Sequence, residues 1–221
     1  MKEFIKVFES LAQVHGSHRV WSDFITMSAC ALSNRVDERF AEEREQLYMQ
    51  CVSRYSKTEA GQFAELLGVT MRALWENPEQ DFLGTLYSRL GLHNGGRGQF
   101  FTPYHIASLI ARMNMADKAV PSEDELPVRV SDPCCGAGCL LIAYANEAQK
   151  HGIDKSDIAF YAQDIDQTAA LMCYIQLSLL GCNVAVKVGN SLANPITECD
   201  LNDESVWLSS ALAFKPGKET T

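Results

Sequence analysis

Apolar residues recur every three to four positions through the first part of the chain, up to about residue 92. This period is the signature of amphipathic helices. The predicted helices contain or span residues 4–11, 19–32, 37–55, 58–75 and 82–90. The charged stretch 38–45 is typical of a solvent-exposed helix face with ion pairs one turn apart. We therefore predict an N-terminal helical domain over residues 1–92.

The pattern changes after a connector with three glycines between residues 93 and 98. Short β-branched runs now alternate with longer apolar runs, which predicts an α/β domain with a mainly parallel sheet over residues 93–221. A helix is expected directly after Pro103, since proline suits a first helical turn. The predicted helices span 104–115, 139–148 and 167–180, and the predicted strands span 128–131, 158–163, 184–188 and 206–214.

The most informative stretch is Asp132-Pro133-Cys134-Cys135-Gly136-Ala137-Gly138, between a predicted strand and a predicted helix. A strand, a glycine turn and a helix together present backbone N–H groups and a helix N-terminus to a ligand. Glycines at 136 and 138 remove side chains that would block a close approach. Taken alone, an ordinary tight turn between a strand and a helix explains the same residues equally well.

Two further stretches decide between these interpretations. Residues 98–103 read GQFFTP, and Asp81 to Tyr87 follows the pattern D-x-L-G-x-x-Y. Together with DPCCGAG, which fits DPxCGxG, they resemble the N6-adenine DNA methyltransferases, most of all the modification subunit of type I restriction systems. The resemblance covers about residues 81–192. It implies a Rossmann-like S-adenosylmethionine-dependent methyltransferase fold with a truncated, mainly parallel sheet, and site-specific N6-adenine DNA methylation.

The resemblance also implies S-adenosylmethionine as the cofactor and a set of residues that bind it. Asp164 takes the position of the family's acidic ribose ligand, and Asp166 is expected to cap the next helix. Asn190 replaces the usual aspartate of a G-D-x-L loop, which should weaken binding because an amide carries no charge. The implied cofactor-binding residues are Phe100, Phe101, Thr102, Asp132, Cys134, Gly136, Gly138, Asp164 and Asn190.

The family's catalytic tetrad, (D/N)-P-P-(Y/F), does not occur in this sequence. Asn194-Pro195-Ile196 begins like it, so Asn194 and Pro195 are the catalytic candidates, but the second proline and the aromatic residue are missing. One alternative is that another methyltransferase or specificity subunit supplies the residues that bind the base. A second is a catalytically inactive cofactor-binding subunit, regulatory or decoy, that binds a methyltransferase or restriction partner. A third is that the chain is a fragment of a longer enzyme.

Composition and net charge limit which binding partners and which cell compartment are expected. The net charge is −9 and no basic run is present, so we expect the chain to contact DNA with help from another subunit. No apolar run reaches the length of a membrane span. Glu3 in the first helix argues against a signal peptide, and eight cysteines without one favour reduced thiols in the cytoplasm. Without any CxxC pair we predict no metal site, and expect Cys134 and Cys135 simply to pack a tight turn.

Overall fold

A computed structural model describes residues 1–92, 101–116 and 120–209. These residues form an α/β protein with a four-stranded sheet and eight α-helices. The helices are α1 (Lys2–His15), α2 (Ser17–Ser33), α3 (Ala41–Val52), α4 (Lys57–Glu76), α5 (Phe82–Arg89), α6 (Tyr104–Met115), α7 (Cys139–Lys150) and α8 (Gln167–Leu179). The strands are β1 (Val128–Asp132), β2 (Ile158–Asp164), β3 (Asn183–Val188) and β4 (Val206–Leu208).

The strands lie side by side in the order β1-β2-β3-β4. The pairs β1–β2 and β2–β3 are parallel, with Val130 opposite Phe160 and Phe160 opposite Val184. The last pair is antiparallel, with Val186 opposite Trp207. The predicted mainly parallel sheet is therefore confirmed. Because β1, β2 and β3 run in the same direction, their carboxyl ends meet at one edge of the sheet.

Two predicted elements differ clearly from the observed ones in their bounds. The helix expected over residues 37–55 is split into a short 3-10 turn, Glu38–Phe40, and α3. Asp37 ends the preceding loop by accepting a hydrogen bond from the N–H of Arg39. The strand expected over 206–214 is described only up to Leu208, and residues 210–214 lie outside the described residues.

The main hydrophobic core extends from the N-terminal helices to the sheet. Phe4, Phe24 and Phe82 form an aromatic group, with ring centroids 5.4 Å apart for Phe4 and Phe24 and 6.0 Å apart for Phe4 and Phe82. The same cluster of buried residues continues through α8 to Phe160 on β2. The N-terminal helices thus pack on α8, which in turn packs on the sheet, and a domain boundary at residue 92 stays a prediction.

Arg44 corrects the expectation that 38–45 is a solvent-exposed face. Its side chain is 4% exposed and donates hydrogen bonds to Asp37 Oδ2 at 2.9 Å and to the carbonyl oxygen of Val206 at 3.0 Å. The guanidinium also lies 4.5 Å from the ring centroid of Trp207. Since a buried charge must be paired, these partners explain how Arg44 can leave water, and they attach α3 to β4.

Three smaller observations concern the compartment and metal expectations. None of the helices in the described ranges is long and apolar enough to cross a bilayer. All eight cysteines are unpaired thiols. Across the described part of the chain, no three His, Cys, Asp or Glu side chains come together in a way that would hold a metal ion.

Candidate functional site

The turn between β1 and α7, residues 133–138, is built onto the ends of two strands. The N–H of Cys134 donates to Asp132 Oδ1 at 3.1 Å, and the N–H of Cys135 donates to the carbonyl oxygen of Gln163 at 3.0 Å. The N–H of Gly136 donates to Asp164 Oδ2 at 2.9 Å. The end of β2 therefore holds the turn that follows β1, which fixes the backbone that a ligand would approach.

The two glycines of this turn are close to different side chains. Gly138 has φ +89°, and a β-carbon there would lie 2.8 Å from Cys173 Sγ, so its small size lets α7 approach α8. Gly136 has φ +53°, and a β-carbon there would lie 3.4 Å from Cε1 of Phe101. Both φ angles are ones that side-chain-bearing residues rarely adopt. Close packing and the left-handed backbone together account for Gly138, whereas the β-carbon position of Gly136 faces the ring of Phe101 at the site.

That ring belongs to the GQFFTP stretch, of which residues 101–103 are described and Phe100 lies outside the described residues. Phe101 is half-buried, and its centroid lies 5.6 Å from that of Tyr87 with the rings nearly perpendicular. Tyr87 in turn packs against Trp21 at 5.5 Å. Thr102 follows Phe101 and is also half-buried. The aromatic contacts thus connect the D-x-L-G-x-x-Y helix and the N-terminal helices to the glycine turn.

Two carboxylates lie at this edge of the sheet. Asp164 accepts through both oxygens, from Gly136 through Oδ2 and from the N–H of Asp166 through Oδ1 at 2.9 Å. Burial raises the pKa of Asp132; the Cys134 N–H opposes that shift, and the negative charge of Asp164 adds to it. The carboxylates of Asp132 and Asp164 therefore repel each other. A ligand that brings hydroxyl donors or a positive charge would reduce this repulsion.

The remaining predicted cofactor residues border this turn or follow β3. Cys134 is exposed on the turn, and Gly138 forms the start of α7 without a side-chain cap. Asn190 is exposed after β3, and its Oδ1 accepts a hydrogen bond of 3.0 Å from the N–H of Leu192. An amide oxygen has a second lone pair, so Asn190 keeps an acceptor for a ligand amine.

The predicted catalytic pair, Asn194 and Pro195, is exposed on the loop after β3. The Gln163 side chain holds this loop: Nε2 donates to the carbonyl oxygen of Asn194 at 2.9 Å, and Oε1 accepts from the N–H of Ile196 at 2.8 Å. Successive side chains of a strand point to opposite faces of the sheet. Gln163 and Asp164 are neighbours on β2, so the loop of Asn194 lies on the other face from the Asp164 carboxylate.

Two buried glutamines near the site were not expected from the sequence. The sequence pattern places Gln163 in a predicted strand and Gln176 in a predicted apolar helix, and assigns neither a role at the site. Both are 0% exposed, and both use their amide groups to hold backbone. The available signal was an amide side chain within an otherwise apolar run, because such a group must find hydrogen-bond partners when buried.

Comparison with known proteins decides the family. The family model for N-6 DNA methylases matches residues 79–208, which is more than half of the chain. The chain belongs to the N-6 DNA methylase family. The matched stretch begins just before Asp81 and ends with β4, so it includes the glycine turn, Asp164 and Asn190. The resemblance inferred from the three sequence motifs is confirmed.

Two curated relatives are methylase subunits of type I restriction enzymes. The methylase subunit of the type I restriction enzyme MjaIX from Methanocaldococcus jannaschii is 26% identical over 97 residues, covering 42% of this chain and 15% of the relative. The methylase subunit of MpnII from Mycoplasma pneumoniae is 29% identical over 99 residues, covering 45% of this chain and 16% of the relative. The matched stretch thus spans about one sixth of the length of either relative.

Proposed function

We propose that this chain provides the S-adenosylmethionine-binding part of a DNA methyltransferase that modifies adenine N6 at specific sites. Its sheet and helices would correspond to part of the Rossmann-like methyltransferase fold. One observation carries the proposal: the N–H of Gly136 donates to Asp164, and Phe101 lies so near that a β-carbon on Gly136 would be 3.4 Å from its ring. Residues from two of the sequence motifs and from the end of β2 therefore meet at the carboxyl edge of parallel strands, which is where nucleotides bind in open α/β sheets.

The chemistry of these residues fits the proposed cofactor. Each carboxylate oxygen of Asp164 has a lone pair beyond the one its backbone partner uses, so Asp164 can still accept from ribose hydroxyls. The carboxylates of Asp132 and Asp164 would offset the cofactor's positive charge. Phe101 offers an aromatic ring beside Gly136. When bound, the cofactor would supply a methyl group activated by its sulfonium sulfur.

Methyl transfer also needs a site for the base. The lone pair of the adenine amine is conjugated with the ring, so a methyltransferase must supply acceptors for the amine hydrogens and hold the flipped base. Asn194 and Pro195 are the candidates that this chain offers, but they are exposed on the opposite side of β2 from Asp164. We infer that another segment or subunit of the methyltransferase brings the base-binding residues.

The edge of the sheet at β1 supports this inference. Within the described ranges, β1 pairs only with β2 and is therefore an edge strand, the kind of strand to which a further strand can be added. Helix α6, which precedes β1 in the chain and packs on α7, exposes an apolar stripe at helical spacing. The stripe consists of Ile106, Leu109, Ile110 and Met113. A segment that adds a strand to β1 and covers α6 would satisfy both features.

Calorimetry with S-adenosylmethionine tests the first part of the proposal. We expect binding by the wild type, and Asp164→Ala should weaken it by roughly 1–3 kcal/mol, the range for losing a charged hydrogen bond. Asp154→Ala is the matched control, because Asp154 caps the 3-10 turn at the other end of the same strand. No binding by the wild type near millimolar cofactor would contradict the proposal.

Transfer of a tritiated methyl group to unmethylated DNA tests the second part. We expect the chain alone to be inactive or very slow, since losing transition-state positioning costs orders of magnitude in rate. Addition of a partner methylase or specificity subunit should raise incorporation at adenine N6. Robust incorporation by the chain alone that is abolished by Asn194→Ala would instead identify Asn194 as a catalytic residue.

A further inference from the structure

The side chain of Gln176 on α8 lies behind the glycine turn and is completely buried. Its Nε2 donates two hydrogen bonds, to Asp81 Oδ1 at 2.8 Å and to the carbonyl oxygen of Ala137 at 2.9 Å. Its Oε1 accepts a hydrogen bond of 3.0 Å from the N–H of Leu83. Both amide hydrogens are therefore used, and one side chain joins α5, α8 and the turn.

Asp81 is held rigidly at the other end of this network. It caps α5 by accepting from the N–H of Gly84 at 2.9 Å, and its side chain is 3% exposed. Burial raises the pKa of Asp81, and the hydrogen bonds from Gln176 and Gly84 oppose that shift. Gln176 therefore stabilises the cap as well as reaching the turn, so α5 acts as a fixed support.

The contact with Ala137 differs from the other restraints on the turn. The N–H groups of Cys134, Cys135 and Gly136 are held by the ends of β1 and β2. The carbonyl of Ala137 instead accepts a hydrogen bond from Gln176 on α8, and Ala137 is 1% exposed. A buried carbonyl that loses its donor carries a large desolvation cost, so without Gln176 the peptide group would turn to find another partner.

We propose that Gln176 is a positioning residue for the cofactor turn, which fixes the peptide between Ala137 and Gly138 through a support that begins at the Asp81 cap. The inference rests on the proposed function, because it assigns the turn to S-adenosylmethionine. Gln176 itself would not contact the cofactor. It acts by keeping Gly136 and Gly138 in the backbone geometry that the cofactor meets.

The test compares Gln176→Leu and Gln176→Glu with Gln80→Leu. Gln176→Leu removes all three hydrogen bonds, and Gln176→Glu keeps the shape and the acceptor for Leu83 but loses the amide donors. Gln80→Leu is the matched control: Gln80 adjoins Asp81 and donates two hydrogen bonds, but to the carbonyl oxygens of Ala73 and Asn77 at the end of α4.

We expect at least a tenfold rise in the dissociation constant for S-adenosylmethionine in both Gln176 variants, with Gln80→Leu within about twofold of the wild type. In nuclear magnetic resonance spectra without ligand, the amide signals of Gly136 and Gly138 should shift in the Gln176 variants only. Because this second measurement needs no cofactor, it also tests the proposal if the wild type fails to bind, an outcome that would contradict the proposed function separately.

Two results would overturn the inference. The first is a folded Gln176 variant, judged by circular dichroism, with wild-type affinity and unchanged glycine amide signals. The second is loss of the fold in both variants while Gln80→Leu remains folded, which would make Gln176 a core residue and nothing more.

Discussion

Gly138 and Cys173 are in such close contact that a β-carbon on residue 138 would lie 2.8 Å from Cys173 Sγ. The contact joins Gly138, the N-cap residue of α7, to the middle of α8, directly behind the proposed cofactor turn. Two effects therefore act on any substitution at 138: the left-handed backbone conformation, with φ +89°, and the lack of space.

Gly138→Ala should lower the free energy of unfolding by roughly 2–5 kcal/mol, from left-handed strain and overpacking together. Cys173→Ala removes the nearest atom, so the double variant should lose less than the sum of the two single variants. Urea denaturation of the four proteins measures this coupling. Strict additivity would show that the sulfur contact does not limit residue 138.

Gly84→Ala should destabilise the protein by about 1–3 kcal/mol, since the new methyl group would lie 2.1 Å from Asp81 Oδ2, the carboxylate that caps α5. Gly68→Ala is the control, because no atom lies within 4 Å of its β-carbon position on α4. This control should gain up to about 1 kcal/mol from helix propensity. Thermal unfolding of both variants checks the prediction, and equal effects would contradict it.

Arg44→Met should cost about 3–5 kcal/mol, because it leaves the buried Asp37 carboxylate without one of its cations. Arg72→Met, which breaks only an exposed pair with Glu3, should change stability by less than about 1 kcal/mol. Hydrogen exchange of the backbone amide of Trp207 should also accelerate in the Arg44 variant. This amide shares a peptide group with the carbonyl of Val206, to which Arg44 donates. Similar losses in both variants would show that burial does not matter here.

Acid should weaken the contact between α1 and α4. A hydrogen bond from His15 and further ones from Ser56 lower the pKa of Glu59 from 4.5 to about 2. Because the folded pKa lies below the unfolded one, the contribution to stability is complete above pH 4.5 and is lost as the pH falls towards about 2. Glu59→Gln should therefore lose less stability than the wild type across this interval.

Unfolding by urea at several pH values measures that difference. Glu65→Gln supplies the control, since Glu65 is exposed on the same helix. A Glu59 variant with the same acid dependence as the wild type would rule out the pair of His15 and Glu59 as the cause.

The chain alone should bind duplex DNA weakly at physiological salt. Its net charge is −9, whereas phosphate contacts by Lys and Arg dominate DNA affinity. A gel shift at about 150 mM salt, where unpaired surface charges are largely screened, tests this. Nanomolar affinity would contradict it and would indicate a local basic surface.

Elements with local sequence signals could be predicted without the structure. Helix α6 was predicted with its observed ends, 104 and 115, since Pro103 and the apolar period mark them. Asp166 was predicted as a helix cap, and it accepts a hydrogen bond from the N–H of Ala169, three residues later. Capping and periodicity depend on neighbours along the chain, so they can be inferred without knowing the fold. The family also followed from sequence, because its motifs are contiguous.

Contacts between groups far apart in the sequence became visible only in the folded chain. Arg44 lies in a charged stretch, yet it is buried because Val206 and Trp207 come from the far end of the chain to pair with it. Gln176 lies in an apolar helix, yet it connects Asp81 with Ala137. Such roles depend on contacts between residues about 40 to 160 positions apart, which no local pattern records. The buried amide of Gln163 likewise holds the loop of Asn194 through a hydrogen bond to its backbone, on the face of the sheet to which Gln163 points.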